Sequence, residues 1–174
     1  GSPYKVFTPF FKKRCLSLPE PRKPIPKPSN LIFADISDKT AIKGKFVFSK
    51  EYNWERKIKK YWHIGEKAAS NKLDNFLKNG ISSYKEGRNY PSKKNISKLS
   101  PHLHFGEISP NIIWHRVRTS GQSEDLDHYV SELGWREFSY NLLYHFPQLP
   151  KNNLQTKFDR FPWVDNSEHL NKWQ

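Results

Sequence analysis

The stretch Ser131-Glu132-Leu133-Gly134-Trp135-Arg136-Glu137-Phe138 decides the fold, because it lies within a long helical pattern over 126–146. At 3.6 residues per turn, one side of this helix carries an apolar stripe that is expected to face the core: Leu126, Val130, Leu133, Tyr140 and Tyr144. A second stripe mixes rings with charges of both signs: His128, Tyr129, Glu132, Trp135, Arg136 and Ser139. Burial of a large ring contributes about 1.5–3 kcal/mol, so rings are rarely left on a purely solvated face. The second stripe therefore indicates a ligand-binding surface.

A structural interpretation of the same residues stays open. Glu132 and Arg136 have the i, i+4 spacing of a surface ion pair, and Trp135 could cap a core. Glu137 argues for function, since the helical wheel places this carboxylate on the apolar stripe, where it needs a partner.

Composition limits the class of protein. The 174 residues suffice for one domain, and their net charge of +13 favours a polyanionic partner, although charge alone would equally suit an anionic membrane surface. No apolar run approaches the roughly 20 residues of a membrane span, and no signal peptide opens the chain. The single Cys15 excludes an internal disulfide and a multi-cysteine zinc site, and the histidines show no metal-binding spacing. We expect an intracellular, cytoplasmic protein without a metal.

The pattern along the chain predicts a mainly α fold preceded by an extended, Pro-rich linker. Five prolines between 19 and 28 favour extended backbone, whereas 81–91 is rich in turn residues. Ser100-Pro101 and Ser109-Pro110 each indicate a helix N-cap followed by proline at the first helical position. The expected helices are a segment from about Trp54, then 65–78, 110–119, 126–146 and 166–173.

The loop Ser97-Lys98-Leu99-Ser100-Pro101 combines hydroxyls, a cation and the start of a helix, which together favour phosphate binding. Every serine-capped helix shares most of these features, so the loop alone is a weak signal. No G-x-G-x-x-G or G-x-x-x-x-G-K-[ST] motif occurs, which excludes those two nucleotide sites. His102 and His104 are interpreted as ordinary polar positions.

Four motifs together resemble the DNA photolyase/cryptochrome family, and most resemble its cyclobutane pyrimidine dimer (deoxyribodipyrimidine) photolyases. They are Val6-Phe7-Thr8-Pro9-Phe10, the segment 97–110 (SKLSPHLHFGEISP), Glu132-Leu133-Gly134-Trp135-Arg136-Glu137-Phe138 and Asp159-Arg160-Phe161-Pro162-Trp163. Their order and spacing follow the family over essentially the whole chain. The resemblance implies a helical FAD-binding domain in a flavoprotein lyase that uses light to repair UV-damaged DNA.

The resemblance also implies roles for individual residues. The expected FAD-binding residues are Tyr84, Ser97, Lys98, Leu99, Ser100, Tyr129 and Arg136. The expected DNA-binding residues are Arg88, Glu132, Trp135, Arg136 and Ser139. Glu132 would hydrogen-bond a base of the flipped-out dimer, Trp135 would stack on it, and Trp163 would be the outermost tryptophan of the chain that photoreduces the flavin. Ile96 replaces a threonine that many relatives carry and so removes one hydroxyl from the phosphate loop.

The same resemblance implies that the chain is a fragment. Residues 1–50 would form the interdomain linker and 51–174 the first part of the FAD- and DNA-binding domain. The FAD site would then be incomplete, the fragment alone inactive, and the surface exposed by truncation prone to self-association. An antenna chromophore in the parent protein is not indicated.

Three alternatives stay open. The parent could be a cryptochrome-type blue-light photoreceptor that shares the cofactor but not repair. The chain could also be a flavin-free, basic helical module that binds nucleic acid through phosphate contacts alone, or a scaffold whose charge only confers solubility.

Overall fold

The computed structural model describes residues 2–32 and 52–174, and their regular secondary structure is helical, without a strand. The helices are α1 (Phe7–Phe10), a π-helical turn (Phe11–Leu16), α2 (Asn53–Lys59), α3 (Glu66–Asn79), α4 (Tyr84–Gly87), α5 (Ser100–His104), α6 (Pro110–Thr119), α7 (Glu124–His145), a 3₁₀ helix (Thr156–Arg160) and α8 (Ser167–Trp173). The predicted mainly α fold is confirmed.

The chain divides into two compact units. The terminal unit comprises Gly1–Pro19 and Ser131–Gln174, and the central unit comprises Glu20–Val130. Helix α7 contributes its first residues to the central unit and the rest to the terminal unit. The predicted boundary at residue 50 lies outside the described residues and stays a prediction.

The core of the central unit forms where α3, α6 and α7 bury their apolar faces. Helix α3 begins after Gly65 and ends at Gly80, as the sequence predicts, and buries Leu73 and Phe76. The Phe76 ring lies 4.7 Å from that of Tyr129 in α7, measured between ring centroids. Arg116 of α6 pairs with Asp74 of α3, so polar contacts border the apolar ones. Among the described residues of this unit, the buried apolar side chains are Ala69, Leu73, Phe76, Tyr84, Leu99, Ile108, Ile113, Val117, Leu126, Tyr129 and Val130.

Helix α6 holds the proline-rich segment after residue 19 by side-chain hydrogen bonds. The Ser109 hydroxyl accepts a hydrogen bond from the Asn111 N–H at 3.1 Å, which confirms the predicted cap with proline at the first turn. Two side chains of α6 then donate to carbonyls of the non-helical proline-rich segment: His115 Nε2 to Pro21 at 2.8 Å and Asn111 Nδ2 to Arg22 at 3.1 Å.

In the terminal unit, the N-terminal residues pack on α7. Phe10 and Phe138 are buried, with ring centroids 5.4 Å apart. Gly134 allows the close approach: a Cβ added there would lie 2.3 Å from Cδ2 of Phe11. The Asn141 amide donates to the Tyr4 carbonyl at 3.3 Å and fixes the start of the segment.

The predicted apolar stripe of α7 is only partly correct. Leu126, Val130 and Leu133 are buried, but Tyr140 and Tyr144 are 52% and 83% exposed. The buried side instead includes Tyr129, which packs against Phe76 and Tyr84. It also includes Gly134 and Phe138, which the residues of α1 and the π-helical turn cover. The placement of Glu137 on the core stripe is therefore wrong; this residue is exposed and pairs with Arg136.

Two local predictions are also wrong. Ser100 is not an N-cap: α5 begins at Ser100 itself, Leu99 occupies the cap position, and no side chain caps the helix. The reason is that Lys98 adopts the left-handed conformation and Leu99 is already helical, which starts the helix one residue early. The segment 81–91 is not wholly irregular, since it contains α4 after the left-handed Ser83.

Candidate functional site

The predicted phosphate loop presents two hydroxyls and one cation. Ser97 is half-buried, while Lys98 and Ser100 are exposed. Lys98 has φ +52°, a left-handed conformation that is uncommon for a residue with a side chain and often marks a functional turn. Leu99 is 1% exposed, so its side chain belongs to the core and does not face a ligand.

Asn95 fixes the start of this loop. Its side-chain nitrogen donates to the carbonyls of Gly80 at 2.9 Å and Ser82 at 2.7 Å. Gly87 is closely packed against it, because an added Cβ would lie 2.3 Å from Asn95 Oδ1. The loop is thereby tied to both ends of the 80–87 segment.

Ser97 and Lys98 border an open pocket of about 770 Å³ between α3 and the loop. The pocket is lined by Tyr61, Lys72, Asn75, Phe76, Asn79, Gly80, Pro91, Ser92, Lys93, Lys94, Ile96, Ser97 and Lys98. Ile96 thus contributes an apolar patch where a threonine would contribute a hydroxyl. The hydroxyls, the backbone and the lysines fit a phosphate-bearing ligand.

Tyr84 and Tyr129 form a second cluster in the central unit. Both rings are buried and meet edge to face at 5.2 Å between centroids. The Arg88 guanidinium lies over the Tyr84 ring, 5.5 Å from its centroid. Three of the residues predicted from the sequence are therefore brought together.

Asp125, at the start of α7, holds the α4 segment in place. Its carboxylate accepts hydrogen bonds from the backbone N–H of Ser83 at 2.8 Å and of Lys85 at 2.9 Å. These bonds to an ionised group satisfy donors at the start of α4 and fix the position of Tyr84. Sequence reasoning missed Asp125; its place in the first turn of a predicted helix was the available signal.

In the terminal unit, Trp135 stacks on an aromatic side chain from the chain's beginning. The Trp135 and Phe7 rings are 3.7 Å apart between centroids and inclined by 8°, and Phe7 stacks in turn on Phe11. Trp135 nevertheless keeps 46% of its surface exposed. Phe7 belongs to a motif quoted in the sequence analysis, but its contact with Trp135 was missed.

The side chains near Trp135 on α7 differ in their hydrogen bonds and burial. Arg136 donates to Glu137 at 2.7 Å and to the Tyr140 hydroxyl at 3.2 Å. The Ser139 hydroxyl donates to the Trp135 carbonyl at 2.9 Å, a bond within the helix. Glu132 is half-buried one turn before Arg136.

Trp163 lies after the 3₁₀ helix and is 72% exposed, with its ring 4.7 Å from that of Phe161. The segment after the 3₁₀ helix therefore presents an accessible indole.

His102 departs from its interpretation as an ordinary polar position. It is fully buried, its Nδ1 lies 2.5 Å from Glu107 Oε2, and its ring stacks on Trp62. Its Nε2 is buried and finds no hydrogen-bond partner within 2–32 and 52–174. Among the residues that the structure describes, no cluster of three metal-binding side chains occurs.

A search of the described helices for membrane spans finds none with the length and apolar character required.

This chain is similar to part of several known proteins. Residues 129–174 match the model of the FAD binding domain of DNA photolyase. A deoxyribodipyrimidine photo-lyase of Agrobacterium fabrum is 36% identical over 99% of this chain and 37% of its own length. Cryptochrome-1 of Arabidopsis thaliana is 26% identical over 100% of this chain and 27% of its own length.

A solved structure agrees with these similarities. The crystal structure of a bacterial class III photolyase from Agrobacterium tumefaciens superposes with a TM-score of 0.85 at 34% identity, covering 99% of this chain and 36% of that one. The fold is that of a helical photolyase-type flavin domain. Over nearly its whole length the chain is similar to part of proteins of the DNA photolyase/cryptochrome family, as its motifs predict, and it spans about 37% of the length of the first relative above.

Proposed function

We propose that this chain is part of a light-driven DNA repair enzyme, a lyase that splits cyclobutane pyrimidine dimers with reduced FAD. The observation that carries the proposal is Trp135, a half-exposed indole supported by Phe7 on the helix that also carries Glu132 and Arg136. The similarity to proteins named deoxyribodipyrimidine photo-lyase supports it. Because the chain spans about 37% of that relative, the activity is proposed for the whole parent protein.

The residues of the phosphate loop fit the cofactor. Ser97 and Ser100 would donate hydroxyl hydrogen bonds to the FAD phosphates, Lys98 would offset their charge, and Leu99 would contribute its N–H. Tyr84 and Tyr129 would bound the site with aromatic surface, and Arg136 would approach the diphosphate. Bound FAD would supply the light-driven electron transfer, which the side chains cannot supply themselves.

The residues around Trp135 would bind the lesion. A dimer must leave the base stack, which costs a few kcal/mol for the enzymes that act on extruded bases, photolyases among them. Stacking on Trp135 would return about 1–3 kcal/mol per base. Glu132 would hydrogen-bond a base edge, whereas Arg88 and Ser139 would contact the DNA backbone. Trp163 would pass electrons to the flavin from the surface.

We propose further that 1–50 acts as an interdomain linker and 51–174 as the first part of the flavin domain. On this proposal the isolated chain holds FAD weakly and does not repair DNA. Exposed rings such as Tyr144 and Trp173 would then favour self-association, and the parent would act inside the cell, in the cytoplasm, on UV-damaged DNA.

The test measures two properties separately. The absorption spectrum of the purified chain, before and after addition of FAD, reports cofactor binding. Fluorescence anisotropy with an oligonucleotide that contains one thymine dimer, and with the undamaged oligonucleotide, reports lesion recognition. In the parent protein, Trp135→Leu should reduce the preference for the dimer about tenfold or more, since 1–3 kcal/mol of stacking is lost.

Trp173→Leu is the matched control, because Trp173 is also an exposed indole but has no proposed contact with DNA or FAD. Equal losses of dimer preference in both variants, or none in either, would contradict the proposed role of Trp135. A yellow isolated chain that repairs dimers under blue light would contradict the proposed incompleteness.

A cryptochrome-type photoreceptor is the second candidate, favoured by the similarity to Cryptochrome-1. It predicts a parent protein that binds FAD but has equal affinity for damaged and undamaged DNA. DNA binding that depends steeply on salt, ignores the lesion and occurs without flavin would instead indicate a phosphate-binding module.

A further inference from the structure

Helix α5 directly follows the phosphate loop, yet it is too short to fix its own position. It runs from Ser100 to His104, and no side chain in the described part of the chain caps its start. A helix of little more than about one turn has low stability by itself, because its nucleation costs more than its few hydrogen bonds return. The position of α5, and with it the direction of the loop that leads into it, is therefore set by tertiary contacts.

His102 makes the contact that closes the end of α5. Its Nδ1 lies 2.5 Å from Glu107 Oε2, and the Glu107 N–H donates to the His102 carbonyl at 2.8 Å. Between these two residues, Gly106 has φ +72°, a left-handed conformation that turns the chain back toward the helix. The turn after α5 is thus closed twice, once by the backbone and once by side chains.

The His102 ring also joins α5 to the segment that precedes α3. His102 is fully buried, and its ring stacks on that of Trp62, with 5.7 Å between centroids and an inclination of 21°. Lys72 Nζ, from α3, lies over the same Trp62 ring, 3.7 Å from its centroid. One buried side chain therefore connects α5 both to the turn that follows it and to residues outside the loop.

The two ring nitrogens of His102 have different surroundings. Nδ1 faces a carboxylate oxygen, whereas Nε2 is buried and has no partner among the residues that the structure describes. A proton on Nε2 would be a buried donor without an acceptor, which is unfavourable. The favoured arrangement places the proton on Nδ1, which donates to Glu107, and leaves a lone pair on Nε2. This bond fixes the orientation of the ring.

We propose that His102 is a positioning residue for the cofactor site: through its Nδ1–H bond to Glu107 it holds α5 in place and so orients the phosphate loop. The inference rests on the proposed flavin function, which assigns Ser97, Lys98 and Ser100 of that loop to the FAD phosphates. His102 is fully buried and acts through the loop. Its effect is expected in how tightly FAD is held, and not in the splitting of the dimer.

Two substitutions separate this bond from packing alone. In His102→Asn, the amide nitrogen takes the place of Nδ1 and can still donate to Glu107. In His102→Gln, the amide nitrogen takes the place of Nε2, which has no partner among the described residues. His104→Gln is the matched control, because this histidine lies on the same helix but is exposed.

The first measurements use the intact chain without FAD. Nitrogen-15 NMR at neutral pH should show a proton on Nδ1 of His102 and none on Nε2. Hydrogen exchange is followed at Leu103 and Phe105, whose N–H groups make hydrogen bonds of 2.9 and 3.0 Å at the two ends of α5. Exchange there should be about tenfold faster in His102→Gln and less than about threefold faster in His102→Asn. The Ile113 N–H of α6 is the internal reference and should not change.

The second measurement is the FAD affinity of the parent protein, from titration followed by flavin fluorescence. His102→Gln should weaken FAD binding about tenfold, and His102→Asn less than about threefold. The control His104→Gln should change neither the exchange nor the affinity. Glu107→Ala removes the acceptor from the other side of the bond, so it should reproduce the loss if the His102 variants do not fold.

Three results would overturn the proposal alone. They are a proton on Nε2 of His102, equal effects of His102→Asn and His102→Gln, and faster exchange with unchanged FAD affinity, which would make the residue structural only. An unmodified parent protein that binds no FAD would instead contradict the proposed function, and the positioning role would fall with it.

Discussion

The two halves of α7 use the same kinds of side chain in opposite ways. In the half that belongs to the central unit, Tyr129 is 5% exposed and packs against Phe76 and Tyr84. In the half that belongs to the terminal unit, Trp135 is 46% and Tyr144 is 83% exposed. One continuous helix therefore carries aromatic residues that stabilise a core and aromatic residues that remain accessible to a ligand.

The difference teaches that the neighbours of a helix, and not its own periodicity, decide which rings are buried. Tyr129 faces residues of α3 and α4. Trp135 faces Phe7, which covers one side of the indole by stacking and leaves much of the rest accessible. The proposed lesion contact depends on this partial coverage, so changes on each half test the comparison.

The largest effect is expected at Gly134, in the terminal half. Gly134→Ala should lower the free energy of unfolding by about 1–3 kcal/mol, because its Cβ would overlap Phe11 and displace the ring that stacks on Phe7. Urea denaturation measures the loss. Adding Phe11→Ala removes the overlap, so the combined variant should lose less than the sum of the single losses; strict additivity would show that the close approach is unimportant.

A somewhat smaller effect is expected in the central half. Asp125→Asn should cost about 1–2 kcal/mol of unfolding free energy, since the amide retains one acceptor oxygen for the two N–H groups of Ser83 and Lys85. Asp127→Asn is the control: it removes an equal charge from the same helical turn, where the carboxylate only pairs with Arg118 on the surface. Equal losses would mean that the helix dipole, and not the α4 contact, explains the effect.

Phe7→Leu should have a moderate effect. It keeps an apolar side chain but removes the stacked ring beneath Trp135, at a cost of about 0.5–1.5 kcal/mol. A double-mutant cycle with Trp135→Leu, measured by urea denaturation, isolates this coupling. A coupling energy near zero would show that Phe7 does not hold the indole in place.

The smallest effect concerns Cys15, in the π-helical turn beside α7. Burial raises the pKa of this thiol, and the charge of Glu137 raises it further. The thiolate is the reactive form, so Glu137→Gln should lower the pH midpoint of iodoacetamide alkylation, yet leave it above that of a free thiol because burial persists. Glu168→Gln, an exposed carboxylate on α8, should leave the midpoint unchanged. A midpoint that moves equally in both variants would indicate a general charge effect.

Much of the helical framework could be predicted from the sequence, because caps and periodicity are local. Gly80 ends α3, and Ser109-Pro110 begins α6, as expected. The exposed side of α7 could not be predicted in full, since Phe7 and Phe11, more than 120 positions away along the chain, determine which residues it buries.

The candidate site shows the same limit. Ser97, Lys98 and Ser100 were predicted to form a phosphate loop from residue type, and that role stays a prediction. The lysine of α3 that faces the same pocket was not predicted, because its proximity to Lys98 arises only when α3 and the loop pack together. Ser100 was misplaced as a cap because the left-handed turn at Lys98 has no marker such as glycine.

The contacts of the Trp62 ring with Lys72 and His102 have an optical consequence. An anion that draws the ammonium group away from the indole would alter the electric field across that ring, and with it the colour and intensity of its emission. A change at the Lys72 contact would thus alter the emission of Trp62 without any attached dye, and Trp62→Phe would identify its share among the six tryptophans.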